Sequence, residues 1–452
     1  MYTYSEHEEY INNQADKFSN QNSINPELFK KYKVKKGLRN EDGTGVVAGL
    51  TQICNVHGYL VNEGERMPVD GELIYRGINV KDIINGCNEE NRFGFEETTY
   101  LLLFGKLPTK NELEEFTGII SESRNLPGDF VEDMILNAPS KDIMNSMSRS
   151  VLGLYCYDDK ADILSVQNQI RQSLQLIARF PSLAVNAYQV KRRYFDNESL
   201  FFHFPSDRLS TAENFLMTLR PDKKFTHEEA RILDTFLVLH AEHGGGNNST
   251  FTTRVLSSSG TDIYSAISGA LGSLKGGKHG GANTKVVQMF EHIKNDVEDI
   301  NSDEQVALYI EKILQKKVAD KSGLVYGMGH AIYTASDPRA IILKECARKL
   351  AVLNNTSEEF ELIDRVERLT PGIFNALRGE NKVFSANVDM YSGFVLKMLK
   401  IPQELFTPLF AISRVSGWCA HRLEEITTNN KIIRPAYKAI SKSKGYVKMT
   451  DR

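Results

Sequence analysis

Residues 226–247 read THEEARILDTFLVLHAEHGGGN, and this stretch decides the class of the fold. Thr226 and Glu229 have the spacing of a capping box, in which hydroxyl and carboxylate each satisfy an amide left over at a helix start. Ile232, Leu233, Phe236, Leu237 and Leu239 then recur at helical period. The run stops at three glycines. The same grammar appears at Thr109-Lys-Asn-Glu112 and Thr356-Ser-Glu-Glu359, each predicted to open a helix. Val306, Ile310, Ile313 and Leu314 predict another amphipathic helix. The reading is all-α, with many medium helices. A small β element is expected within residues 52–78, where short strand-like runs flank Asn62-Glu63-Gly64 and Asp70-Gly71.

At 452 residues the chain exceeds the length at which one core usually stops growing, so two domains are expected. Apolar residues make up 41% and charged residues 25%, ordinary values for a globular protein. A formal charge of −3 gives no reason to expect nucleic acid or an anionic membrane as partner. No apolar run approaches the ~18 residues of a membrane span. The acidic, polar start lacks the features of a signal peptide or presequence. Five scattered cysteines, with no Cys-x-x-Cys, suit free thiols in a reducing cytoplasm. Residues 1–37 read as a polar arm of helical pieces.

Glycine and histidine gather in three places, each expected at a helix end: His240-Ala-Glu-His243-Gly-Gly-Gly-Asn247, Gly272-Ser-Leu-Lys-Gly-Gly-Lys-His279-Gly-Gly-Ala-Asn283, and Tyr326-Gly-Met-Gly-His330. Glycines beside an imidazole let a substrate approach closely and let the backbone turn sharply. One such histidine is ordinarily a loop or cap feature; three within about 90 residues point to chemistry. No third ligand stands at a convincing spacing from His240 and His243, so no metal site is expected. Gly272-x-x-x-x-Gly277-Lys278 resembles a phosphate-binding loop, but His279 replaces the required Ser or Thr and a helix precedes it. Further on lie Asn387-Val-Asp389 and Ser413-Arg414. Asp389 taken alone would be read as a helix N-cap. Arg414 interrupts the apolar face of Leu409, Phe410, Ile412 and Trp418, and a buried arginine needs an anion.

Taken together, these motifs resemble the citrate synthase family over about residues 38–436. Tyr75-Arg-Gly77, Phe95 to Gly105 with Leu-Pro-Thr109, the three His-Gly clusters in order, Asn387-Val-Asp389, Arg414 and Arg434 carry the likeness. The resemblance implies an all-α homodimer in two domains: a large one of residues 38–284 plus 396–452, and a small one of residues 285–395 that closes on it. It implies oxaloacetate and an acyl-CoA as substrates, with the coenzyme A thioester as substrate and no bound cofactor. By position it implies catalytic roles for Asp389 as general base, His279 at the thioester carbonyl and His330 at the oxaloacetate ketone. His243, Arg339 and Arg414 would bind oxaloacetate, and Arg434 would reach the site from the neighbouring subunit.

The chain departs from the family pattern on the coenzyme A side. Thr334 stands where many members carry a basic residue that meets a coenzyme A phosphate, and Gly276-Gly277-Lys278 replaces a turn that commonly holds Pro. Lys275 or Lys278 is expected to compensate. The alternatives are a 2-methylcitrate synthase using propionyl-CoA, a citryl-CoA-cleaving module, and a non-catalytic structural or regulatory paralogue.

Overall fold

The computed structural model describes residues 7–62, 65–379, 381–428 and 431–452, with the side chains at 61, 62, 65 and 66 left aside. The chain forms two compact units, one up to Leu50 and the other Thr51–Arg452. In the first, helices Glu8–Gln21 and Glu27–Lys31 have no buried residue.

The second unit is mainly helical. Its one sheet among the described residues is three-stranded and antiparallel, with β1 (Cys54–Asn62) beside β2 (Glu65–Tyr75) and β2 beside β3 (Ile78–Asn79). This is the small β element expected for residues 52–78.

The helix Phe406–Thr428 lies at the centre and is buried over most of its length. It packs against helices Phe95–Phe104, Val166–Phe195, His227–His240, Asn248–Ser258 and Ile263–Lys275. A helix surrounded in this way has no solvent face, so its polar residues are buried as well. Arg414, His421 and Arg422 are each 0% exposed. Arg422 is satisfied by Gln169 Oε1, Ser257 Oγ and the Thr261 carbonyl. Downstream of residue 282, helices Ala282–Asp296, Asp303–Leu314, Pro338–Leu353, Ser357–Arg378 and Asp389–Met398 pack on one another.

The helix starts test the capping argument residue by residue. Thr109 and Thr226 each form the full reciprocal box with Glu112 and Glu229. Thr356 does not, although a helix follows it at Ser357. Its backbone is not extended (φ −119°, ψ 30°), and its hydroxyl lies 3.0 Å from Met398 Sδ instead of the helix amides. The third His-Gly cluster is also not at a helix end: helix Asp303–Leu314 stops well before it, and Tyr326–His330 lies in the loop leading to helix Pro338–Leu353. No helix among the described residues is long and apolar enough to cross a membrane.

Candidate active site

The loop after helix His227–His240 is pinned from beneath by Tyr75, a fully buried residue of β2. Its hydroxyl lies 3.1 Å from the carbonyls of Val238 and Glu242, and the Glu242 amide donates back to it at 3.3 Å. Its neighbour Arg76 donates Nε and Nη2 to the Leu102 carbonyl, closing helix Phe95–Phe104 just before Gly105. The Tyr-Arg-Gly motif thus holds two helix ends at one wall of the site.

Arg414 is the most informative residue of that site. It has no exposed surface, its Nε donates to the His240 carbonyl at 2.7 Å, and its guanidinium lies over the Phe410 ring at 4.7 Å. Both Nη atoms are buried without a protein hydrogen-bond partner. Burial lowers its pKa, and the Glu242 carboxylate opposes that shift. A buried donor left unpaired costs about 1–3 kcal/mol, more when charged. A site that keeps two such donors open is built for an acceptor from outside.

Arg339 stands at the start of helix Pro338–Leu353, 3% exposed. Its Nε and Nη2 donate to the two oxygens of Asp337 at 3.0 and 2.7 Å. Asp337 is itself the N-cap of that helix, and its Oδ2 also accepts the Val388 amide at 3.2 Å. Burial acts to raise the Asp337 pKa, but Arg339 outweighs it and the carboxyl is held below its ordinary range. Asp337 therefore ties Arg339 to the segment carrying Asp389.

Asp389 is the first residue of helix Asp389–Met398, whose N-cap is Val388, so the N-cap reading does not hold. Two strands of loop bring it to His330. The Gly329 amide donates to the Ser385 carbonyl, the Asn387 amide to the Gly327 carbonyl, and Asn387 Nδ2 to the Gly329 carbonyl, at 2.7–2.8 Å. Gly327 is required there: its φ is +85°, and a Cβ would lie 3.0 Å from the Met390 backbone. Burial pushes the Asp389 carboxyl up to about 6, with Arg339 pulling the other way.

The histidines are held in defined states. His330 Nδ1 accepts the amides of Ile332 and Tyr333, both at 3.1 Å. An imidazole nitrogen that accepts two donors carries the lone pair, so the proton of neutral His330 is on Nε2. His243 meets His330 edge to face at 5.2 Å, and its Nε2 is buried without a partner. Burial lowers the pKa of His243 well below its ordinary value, with Arg339 adding to the effect. His279 follows the turn Gly276-Gly277-Lys278 and is lowered to about 4, mainly by burial and then by Arg414. It is a neutral imidazole at pH 7.

His279 Nε2 lies 3.0 Å from Ser249 Oγ. Ser249 is fully buried; it receives the Trp418 Nε1 proton at 3.2 Å and stands 2.9 Å from Asn247 Oδ1. Sequence reading missed this pair because no period links positions 249 and 279. Nor did it single out Asp337 or Tyr333, although both lie beside residues that it named.

The remaining expected residues lie elsewhere. Lys275 forms an exposed ion pair with Asp142 at 2.8 Å. Lys278 is exposed at the tip of its turn. Thr334 Oγ1 donates to the Gly58 carbonyl. Arg434 is exposed in the C-terminal segment. The adjacent Ile433 amide donates to Ser258 Oγ, at the opposite end of helix Asn248–Ser258 from Ser249. That helix is roughly 15 Å long, which separates the Arg434 backbone from the Ser249–His279 pair of the same chain.

Residues 40–436 match the family description "Citrate synthase, C-terminal domain". A citrate synthase of Synechocystis is 35% identical over 92% of this chain and 94% of its own length. A 2-methylcitrate synthase of Shewanella oneidensis is 33% identical over 80% and 87%. Among solved structures, a ternary complex of citrate synthase from Thermoplasma acidophilum with carboxymethyl coenzyme A and oxaloacetate superposes with a TM-score of 0.74. It is 28% identical and covers 93% of this chain and 99% of that one. The citrate synthase of Thermotoga maritima gives 0.71 at 29% identity, with 93% and 99% covered. With motifs, helical architecture and near full-length similarity in agreement, this chain belongs to the citrate synthase family.

Proposed function

We propose that this chain condenses acetyl-CoA with oxaloacetate and hydrolyses the resulting citryl-CoA to citrate and coenzyme A. The observation that carries the reading is Arg414, a fully buried guanidinium with two open Nη donors, whose charge acts on His243 together with that of Arg339, while His243 packs on His330. A dicarboxylate with a ketone matches that set. One carboxylate pairs with Arg414, the other with Arg339, and the ketone oxygen accepts from His330 Nε2.

Asp389 removes a proton from the acetyl methyl group. Its raised pKa makes it a stronger base than an ordinary carboxylate while leaving it ionised at pH 7. The electron pair moves onto the thioester oxygen, which needs a donor. His279 Nε2 is engaged with Ser249, so Nδ1 is the nitrogen left for that oxygen. Nδ1 holds the proton only if the Ser249 hydroxyl donates to Nε2, turning away from Asn247 Oδ1; Trp418 meanwhile fills another Ser249 lone pair. A neutral donor aimed at a developing enolate needs no rearrangement during the reaction. The enolate carbon then attacks the ketone carbon, the resulting alkoxide takes the His330 Nε2 proton, and the proton that Asp389 took from the methyl group returns to His330 Nε2, restoring both side chains. Water cleaves the citryl thioester and releases the coenzyme A thiol.

The proposal includes a cytoplasmic homodimer in which Arg434 enters the neighbouring subunit's site, and closure of residues 285–395 over residues 38–284 and 396–452 to exclude water. It assigns a coenzyme A phosphate to Lys278. The reading needs no metal and no cofactor beyond the coenzyme A thioester. Release of thiol with oxaloacetate plus acetyl-CoA or propionyl-CoA tests it. Preference for acetyl-CoA supports this reading, preference for propionyl-CoA moves the assignment to 2-methylcitrate, and release with neither removes both. For Arg434, Arg434→Ala and Asp389→Ala subunits, unfolded together and refolded, regain activity through one intact site per mixed dimer. No recovery from two inactive variants would place Arg434 within its own subunit's site, and an active Arg434→Ala homodimer would place it outside both.

A further inference from the structure

Tyr333 is 0% exposed and touches three substrate-side groups with one ring. It stacks on His330 at 4.8 Å and 27°, meets His243 edge-on at 5.6 Å, and lies under the Arg339 guanidinium at 5.5 Å. Its own amide is one of the two donors that set the His330 tautomer. An aromatic face steadies a guanidinium without occupying any of its N–H donors.

The other side of Tyr333 rests on the β1–β2 hairpin. Its hydroxyl lies 3.4 Å from the Glu72 carbonyl. Just beyond Tyr333 the loop is stitched to the same hairpin. Thr334 Oγ1 donates to the Gly58 carbonyl at 3.2 Å, the Gly71 amide donates to Ser336 Oγ at 3.1 Å, and Ser336 Oγ donates to Asp70 Oδ1 at 2.9 Å. The fit leaves no room for side chains. A Cβ on Gly58 would lie 2.8 Å from the Ile332 carbonyl oxygen, and one on Gly71 would lie 2.2 Å from that of Ser336 and 2.6 Å from the Tyr333 ring. The strand register shifts between His57 and Tyr59, where Glu72 and Pro68 are their partners, so Val69-Asp70-Gly71 bulges toward this loop. Bulges commonly serve to re-aim groups beside a site.

We infer that Tyr333 is a positioning residue for the oxaloacetate groups, and that the Cys54–Tyr75 hairpin is the fixed surface against which it is set. The inference rests on the reading of the site as citrate-forming. Removing the ring tilts His330 and Arg339 together, and a misplacement of about 1 Å can cost on the order of a hundredfold. Gly58 and Gly71 carry no side chain, so their influence on the site runs through the loop that they touch.

Steady-state kinetics of full-length wild type, Tyr333→Leu, Tyr333→Phe and Gly71→Ala, varying oxaloacetate and acetyl-CoA separately, test this. Wild-type activity is the control for the parent reading; its absence would defeat that reading first. With an active wild type, Tyr333→Leu is expected to raise the oxaloacetate KM by about ten- to a hundredfold, with the acetyl-CoA KM moved less than about twofold. Tyr333→Phe, which keeps the ring, is expected to stay within about threefold. Gly71→Ala, distant from the chemistry and carrying the whole ring, is expected to reproduce the oxaloacetate-specific loss. It also keeps the test alive if Tyr333→Leu does not fold. A folded Gly71→Ala or Tyr333→Leu enzyme with both KM values unchanged would overturn the inference. So would a loss of kcat alone, shared equally by both substrates, since that is what a merely structural role produces.

Discussion

Arg414 and Lys278 are both cations assigned to anionic parts of the substrates, and they stand at opposite extremes of burial. Arg414 has no exposed surface, a locked Nε and two open Nη atoms. Lys278 lies exposed on a turn. The groups gathered at the same site are each held by a partner: Asp337 braces Arg339, backbone amides set His330, and Ser249 engages His279. On the coenzyme A side, Lys275 has gone to Asp142 and Thr334 to the hairpin. Burial makes the first region costly to build and hence specific, because an unpaired buried charge is tolerated only where a ligand answers it. An exposed lysine is stable with or without a ligand, so its presence says little.

The largest expected effect tests the buried side. Asp389→Ala should lower kcat by about 10²–10⁴, the usual worth of a general base, with the fold retained by circular dichroism. In wild type the same residue is expected to set the pH profile. Its folded pKa is raised to about 6, and the base must be ionised, so kcat/KM should fall as pH drops through that value. For stability the sign is reversed. A carboxyl whose folded pKa exceeds its unfolded value favours the native state when protonated, and that contribution is lost as pH rises through about 6. A plateau extending below pH 5 would contradict Asp389 as base.

Next comes Arg414→Met, which should separate function from stability. Oxaloacetate affinity should fall by the roughly 2–5 kcal/mol of a desolvated charge pair. The ligand-free protein should lose much less, about 0.5–1.5 kcal/mol for the Nε–His240 hydrogen bond, because the two Nη donors have no protein partner to give up. A melting temperature several degrees lower would mean that the guanidinium is structural and the comparison fails. Ser249→Ala is expected to cost about ten- to a hundredfold in kcat, less than loss of the base itself, with little change in oxaloacetate KM. The smallest effect belongs to the exposed side. Lys278→Ala should raise the acetyl-CoA KM about two- to fivefold, the scale of an exposed ion pair, and Lys275→Ala should leave it unchanged. Equal effects at both lysines would break the distinction drawn here.

What could be read from the sequence divides along the same line. Helices were legible where local rules decide them, as at the Thr109 and Thr226 boxes. Thr356 misled because its hydroxyl is captured by Met398, a partner 42 residues away. Among site residues, the glycine-flanked histidines and the arginine interrupting an apolar face announced themselves. Ser249 beneath His279, Tyr333 on the hairpin and Asp142 beside Lys275 did not, since each depends on a pairing that no local spacing encodes. Asp389 was legible through its motif neighbours, while its actual place inside the helix, after Val388, was not.

The central claim is that the buried arginine pocket is an oxaloacetate site, and a crystal structure with oxaloacetate alone tests it most directly. The account predicts one carboxylate across Arg414 Nη1 and Nη2, the other on Arg339, and the ketone oxygen on His330 Nε2. Oxaloacetate bound elsewhere, or Arg414 Nη atoms still unpaired beside an occupied cleft, would contradict it.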